Sequence, residues 1–336
     1  IAGTLFVFRQ DSGAGETSKS TQQRSDVSVM SRILWIGLPA CATLVLLSVT
    51  NHITQDVAAI PLLWVVPLSL YLLSFILCFE SDRWYRPRPY AVAMIAIILG
   101  VVALEGLFEQ NAPILSLLAY NALLFVACMM CHGELASIRP GPDKLTSFYL
   151  SLAGGGALGG IFVGMVAPLI FESYLEVQIS FLAIIALTLF ANRHDPASFV
   201  NKSGPGFKAG LTAVGALAFV GLHMATVISS GEGNVTTSRN FYGVLKQSDY
   251  IDEQGHSVRR LIHGRIVHGM QYLEDARRDI PTSYYGRTTG VGRIMALNRD
   301  GATGVRARKL GGVGLGAGTL SASGRAGATI RFYGLT

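Results

Sequence analysis

The residues best suited to chemistry lie in three places along the chain. Near the C-terminus, Gly314-Leu-Gly316-Ala-Gly318-Thr319 follows a strand-like run and precedes a segment that reads as a helix. Glycines there let the backbone come close to a nucleotide, and the start of a helix offers free N–H groups. An ordinary glycine-rich turn is the alternative. Strand context on both sides favours nucleotide or nucleoside binding. Upstream, His263, His268, Gln271, Tyr284 and Tyr285 gather in a β-rich stretch. The repeated His-Gly steps at 263–264 and 268–269 suit turn geometry as readily as a site. The third place is the mouth of the first two apolar segments, with Asn51, His52, Gln55 and Asp56. Glu105, Glu109, Glu172 and Glu176 fall at the same side, with no Lys or Arg in the loops there. Acids close to a membrane core are functional candidates. For the glutamates, solvated helix ends are the favoured reading. For Asp56, a solvated end and a cation or polyamine site shared with His52, Glu105 and Glu109 both stay open.

Two further patterns match motifs in form but not in setting. Cys128-Met-Met-Cys131-His132 has the spacing of a haem-attachment motif. It ends an apolar segment, where buried inert thiols are the favoured reading and no metal is expected. Gly154–Gly160 (GGGALGG) contains G-x-G-x-x-G but has no strand before it. Its G-x-x-x-G spacings at 155/159, 156/160 and 160/164 point to close helix packing.

These residues need elements to position them. Half of the 336 residues are hydrophobic and only 14% are charged, against about 25% in ordinary soluble domains. Charges are sparse between Ile33 and Ser229 and frequent from Arg239 onward. A hydrocarbon core about 30 Å thick requires about 20 apolar residues in a helix. Seven stretches qualify or nearly do: Ile33–Thr50, Val57–Phe79, Tyr90–Phe108, Ala112–Cys131, Ser147–Phe171, Tyr174–Ala191 and Ala209–Ser229. They are apolar all round, unlike amphipathic core helices. Lys and Arg occupy every second loop: 9–32, 83–88, 139–144 and 193–208. The positive-inside rule makes those loops cytoplasmic, and seven crossings then leave the C-terminal part extracytoplasmic.

From Asn234 the pattern shortens. Asn240–Gln247, Val258–Ile262 and Arg265–Leu273 read as antiparallel strands, with turns at Gly255 and Gly264. Thr289–Asn298 reads as a short helix. Lys309–Leu315 and Ala328–Leu335 read as strands flanking a helix near Thr319, the first βαβ unit of a doubly wound domain. The expected fold is therefore an α-helical transmembrane bundle followed by a β-hairpin module and the start of a Rossmann-like α/β domain. The divisions are 1–32 (the end of an earlier helix plus a cytoplasmic linker), 33–229 (the bundle), 230–300 (the β-rich module) and 301–336 (the nucleoside-binding start). Ile1–Phe8 reads as the tail of an earlier helix and the last strand as one that stops abruptly, so the chain reads as a piece of a longer protein. The net charge of +6 comes mainly from the arginine-rich C-terminal part. Those arginines alternate with acids and form no basic stripe, so nucleic acid is not an expected partner. The four cysteines all lie in or beside apolar segments and imply no disulfide framework.

Taken together, Gln271, Pro281-Thr-Ser-Tyr284-Tyr285-Gly286 and the loop Gly314-x-Gly316-x-Gly318-Thr319 resemble the spermidine synthase (polyamine aminopropyltransferase) family. Asp56-Val-Ala-Ala-Ile-Pro-Leu-Leu-Trp64, Cys131-His-Gly-Glu134 and Leu145-Thr-Ser-Phe-Tyr149 resemble its bacterial subgroup, in which that domain follows a membrane bundle. The resemblance implies a multi-pass protein of the bacterial inner membrane, with the lipid bilayer and a polyamine or other small amine as partners. It implies decarboxylated S-adenosylmethionine or a related nucleoside as cofactor, held by Gln271, Gly314, Gly316, Gly318 and Thr319. Tyr284 and Tyr285 would line the amine site. Several features depart from the family: Tyr285 stands where a His is expected and lies farther from Gln271, and Gly311 and Gly312 replace branched residues in a strand expected to be buried. Gly334 stands where an acid is expected to hold the ribose, and the family's catalytic aspartate loop falls beyond Thr336. No catalytic residue is therefore assigned, and aminopropyl transfer is not expected from these residues alone. A transporter or polyamine sensor with a non-catalytic domain, and an S-adenosylmethionine-dependent methyltransferase, are the rival expectations.

Overall fold

The computed structural model describes residues 27–57, 61–111, 113–191, 210, 233–264, 266–297, 309–324 and 329–334. The expected segment Ile1–Phe8 and, but for Gly210, the expected span Ala209–Ser229 lie outside the described residues. The N-terminal part is helical: α1 (Val29–His52), α2 (Val65–Glu80), α3 (Pro87–Asn111), α4 (Pro113–Ser137), α5 (Leu145–Ile161), α6 (Ala167–Ile170) and α7 (Glu176–Ala191). Five-residue π turns extend α1 through Ile53–Val57 and join α5 to α6 through Phe162–Val166. Among the described residues three rods are long and apolar enough to cross a membrane: Val29–Gln55, Ile114–Ser137 and Pro142–Ile170.

Sequence chemistry explains where these rods start and how they carry polar residues. Ser28 caps α1 by accepting from the Met30 N–H. The expected span Val57–Phe79 is corrected: its helix begins only at Val65, after a turn over 61–64 in which Leu62 has φ +64°. Proline explains the shift. Pro61 stays outside the helix, and Pro67 falls in the first turn, where its missing N–H breaks no bond. Within the helices and the π turn that extends α1, Ser48, Thr50, Thr54, Ser74 and Ser180 donate to carbonyls three or four residues back. Those internal bonds spare the hydroxyls a partner from lipid or water.

The helices pack around one long core. Val45, Val49, Met94, Leu124, Ala127 and Ile184 are among its buried members, drawn from α1, α3, α4 and α7. A smaller cluster forms at the other end around Trp35, Leu38, Leu135 and Phe148. The glycines of α5 set the closest approach. A Cβ on Gly155 would lie 2.2 Å from the Ile36 carbonyl oxygen, and one on Gly159 would lie 2.3 Å from that of Ala40. The G-x-x-x-G expectation thus holds at 155/159: α5 lies backbone against backbone on α1, running in the same direction. The motif residues on α4 interlock in another way. His132 Nδ1 meets Ser74 Oγ at 3.0 Å between the rings of Tyr71 and Phe75. Tyr85 lays its ring on Gly133 and donates to Glu134 at 2.8 Å. Cys128 and Cys131 are buried in this packing.

The C-terminal part is a four-stranded antiparallel meander in the order β1 (Asn234–Asn240), β2 (Gly243–Ile251), β3 (Ser257–His263) and β4 (Ile266–Tyr272). The expected strand Asn240–Gln247 is corrected: it is a hairpin whose turn falls at Phe241–Tyr242. Asn240 Oδ1 accepts from the Tyr242 N–H, and Gly243 has φ +137°, so turn chemistry overrides the strand-like composition. The turns at Gly255 (φ +86°) and Gly264 (φ +58°) fall where expected. A short helix, α8 (Gly290–Leu297), follows. The strands β5 (Lys309–Val313) and β6 (Thr329–Tyr333) then pair in parallel. The helix expected near Thr319 is corrected to a five-residue 3₁₀ turn, Thr319–Ser323. Its Ser-Ala-Ser-Gly composition offers local hydroxyl bonds in place of a helix, as in Ser321 Oγ donating to the Gly318 carbonyl.

Candidate functional site

The glycine loop is built at the end of β5. Gly314, Gly316 and Gly318 adopt φ of +82°, +54° and +72°, a left-handed run that side chains resist. The Gly314 N–H donates to the Tyr333 carbonyl at 2.6 Å, which ties the loop to the end of β6. The loop then presses on β4. A Cβ on Gly269 would lie 2.4 Å from the Ala317 Cβ and 3.0 Å from Thr319 Oγ1. The Tyr285 hydroxyl comes within 3.9 Å of where a Gly316 Cβ would stand. Ala317 and Thr319 thus cover the buried Gly269, while the Tyr285 hydroxyl stands beside Gly316.

The other expected nucleoside and amine residues have different settings. Gln271 shares the face of β4 with Gly269 by strand alternation, and its amide donates to the Arg278 carbonyl at 3.3 Å. Tyr284 turns to the open edge of β4, where its hydroxyl donates to the His268 carbonyl at 2.7 Å. Thr282 does the same to the Met270 carbonyl. The segment 282–285 therefore satisfies carbonyls along the free edge of the sheet. The Tyr284 phenol is pushed up from its usual pKa, first by burial and then by Tyr285 beside it, the two rings lying 4.6 Å apart. A donated hydrogen bond and a protonated phenol agree. Exposed glycine backbone beside a phenol suits the flat face of a nucleoside. Gly334 follows β6 at the position where the resemblance implied an acid.

At the bundle mouth the expected cation residues fall on different elements. His52 ends α1 with its ring against Tyr120, 4.4 Å between centroids. Asp56 falls in the π turn Ile53–Val57, and Glu105 and Glu109 in α3; their side chains lie outside the described residues. Glu172 is exposed. Glu176 is not a solvated helix end, which corrects that reading: its side chain is 0% exposed and paired with Arg239, itself 3% exposed. The guanidinium donates to both carboxylate oxygens, at 2.6 and 3.0 Å, and to the Ser173 carbonyl. It also lies 4.7 Å from the Tyr174 ring. Burial of a charge is tolerated only with this kind of bidentate pairing. The loops between spans at this mouth offer Glu176 no Lys or Arg; its partner Arg239 arrives from β1, 63 positions later.

Beside this pair a cavity of about 200 Å³ opens between bundle and sheet. Asn51 and Gln55 line it from α1, Pro168 from α6, and Phe241 and Tyr242 from the hairpin tip. The β3–β4 turn closes down nearby: a Cβ on Gly264 would lie 2.0 Å from the Gln55 carbonyl oxygen. The signal for the hairpin was present in the sequence, because Asn at the first and Gly at the fourth position of Asn240–Gly243 favour a turn. Among the described residues no group of three His, Cys, Asp or Glu side chains converges as a metal site. Compared with known protein families, with curated proteins and with solved structures, the chain matches none.

Proposed function

We propose that this is a multi-pass membrane protein whose extramembrane module binds an adenosine-type nucleoside beside a small amine, in the manner of the spermidine synthases it resembles. The observation that carries the reading is the glycine loop: three left-handed glycines at the end of a parallel strand, with Gly314 and Gly316 exposed and the Tyr285 hydroxyl beside Gly316. A parallel β5–β6 pair is what the first unit of a Rossmann-like domain requires. The decarboxylated S-adenosylmethionine of that family fits these residues in part. The loop, Thr319 and Tyr285 suit the nucleoside's flat face, Gln271 lies on the same sheet face, and nothing at Gly334 holds a ribose. Binding is therefore assigned to these residues, and no transfer step is.

The module faces away from the cytoplasm in this reading. Arg32, Arg83, Arg139 and Lys144 gather at the end of the bundle where α1 and α5 begin, while Arg239 docks the sheet where α7 begins, at the opposite end. Calorimetry on the full chain in nanodiscs tests the binding: methylthioadenosine should give saturable heat that Gly316→Val abolishes. No heat from methylthioadenosine with or without spermidine overturns it. A second reading, polyamine sensing or transport, is favoured by the buried Arg239–Glu176 link between sheet and bundle. Uptake of labelled spermidine into vesicles, lost in Arg239→Gln, would select it.

A further inference from the structure

The β1–β2 hairpin ends in two bare aromatic rings. Phe241 is 78% exposed and Tyr242 75%. Turn tips are ordinarily built from small polar residues, and each large ring left in water forgoes the burial of about 150–250 Å². These two are held outward by structure. The Asn240 side chain and Gly243 fix the turn, and the rings meet edge to face with centroids 5.7 Å apart.

Their depth identifies what they face. Phe241 and Tyr242 line the same cavity as Leu47, Val163, Gly164 and Pro168. Val163 precedes the end of its rod at Ile170 by about seven residues, on the order of 10 Å of helix rise. β1, which leads into the tip, packs on α6, the last turn of the rod. At that level the rod exposes Met165, Leu169 and Ile170, side chains suited to lipid rather than water. Trp64, at the N-terminal end of α2, exposes a further ring at the same end of the bundle.

We propose that the Phe241–Tyr242 tip is a membrane-interface anchor, its rings seated in the headgroup–acyl boundary of the bilayer that the helices span. Aromatic rings with a polar end favour that boundary. With Arg239 buried on one side of β1 and the tip held by lipid, the sheet is fixed at two points and cannot swing about either. The proposal concerns the bilayer alone and stands apart from nucleoside binding at the glycine loop.

Site-directed fluorescence tests it on the full chain in phosphatidylcholine nanodiscs. The four native cysteines are buried, so an introduced cysteine takes the label. Phe241→Cys and Tyr242→Cys carry the probe at the tip. Gln254→Cys carries it at the exposed β2–β3 turn, and Leu158→Cys at an exposed apolar position of α5. Lipids bearing a nitroxide high on the acyl chain should quench the tip labels at least about twofold more than the label at 254, and iodide should reach the tip labels less. Equal lipid quenching at 241, 242 and 254, with the label at 158 quenched, overturns the anchor and leaves the bundle in the membrane. No quenching at 158 overturns the membrane-spanning assignment and the anchor with it.

Discussion

Glycine does opposite work in the two halves of this molecule. In the helical bundle, Gly155 and Gly159 keep ordinary helical dihedrals and matter for what they lack: any Cβ would strike the backbone of α1. In the C-terminal part, Gly314 and Gly316 have no protein atom closer than 3.9 Å to a Cβ position but hold positive φ. The first pair lets two helices touch; the second lets a loop stay open. A bundle in lipid gains its stability from close packing, because lipid tails leave little hydrophobic drive between helices. The C-terminal sheet is organised instead by turns and paired charges, and the two halves are joined where one charged pair is fully enclosed.

That junction should give the largest effect. Arg239→Ala leaves Glu176 buried without its partner and should cost about 3–5 kcal/mol of the sheet's attachment. Faster hydrogen exchange in β1 and a lower thermal midpoint in detergent would register it. Replacing both residues by leucine should recover most of the loss, since the desolvation cost of the pair disappears along with its attraction. A double variant as unstable as Arg239→Ala would show that the pair does more than neutralise itself.

Within the bundle, adjacent glycines should respond with opposite signs. Gly155→Ala places a methyl against the Ile36 carbonyl and should cost about 1–3 kcal/mol as α1 and α5 separate. Gly154→Ala meets nothing within 4 Å and should gain about 0.5–1 kcal/mol of helix stability. Thermal unfolding in one detergent compares the two directly, and equal losses would refute the packing account. In the loop, Gly316→Ala should cost about 1–2 kcal/mol from left-handed strain alone, a smaller effect read as lost protease resistance of the 309–334 region.

The contrast between the halves also governs what the sequence disclosed. Apolar runs of membrane length announced the helices, because lipid imposes one rule on every residue of a span. The exceptions were set by single prolines: Pro61 and Pro67 moved the start of α2 to Val65, a shift hidden by the unbroken apolar run around them. Gly255 and Gly264 gave the sheet its turns. The β1–β2 turn stayed hidden because Phe241 and Tyr242 are strand-forming residues, and only the flanking Asn240 and Gly243 mark it. The glycine loop was legible as a motif, and its contact with Gly269 was not, since β4 and the loop are distant in sequence. The Glu176–Arg239 pair was out of reach for the same reason: no local pattern joins a helix N-terminus to a strand residue 63 positions later.

The smallest expected effect separates the buried ion pair from an exposed one. Asp249 and Arg259 face each other directly across β2 and β3, with Arg259 Nε and Nη2 donating to the two carboxylate oxygens at 2.7 and 2.8 Å. Those hydrogen bonds, and then the guanidinium charge, hold the Asp249 carboxyl below its usual pKa. A carboxylate depressed in the folded state stabilises the protein at pH above its unfolded value and stops doing so as the pH falls through its folded value. The wild type and Asp249→Asn should therefore differ in thermal midpoint at neutral pH and converge in acid, below the ordinary carboxylate range. Added salt should shrink the neutral-pH difference, because both partners are open to solvent. The same salt should leave the Arg239→Ala difference nearly intact, because that pair is closed to ions. If the two pairs responded alike to salt, Arg239 and Glu176 would be solvated in the working protein, and the sheet would be docked on the bundle by something other than a dry charge pair.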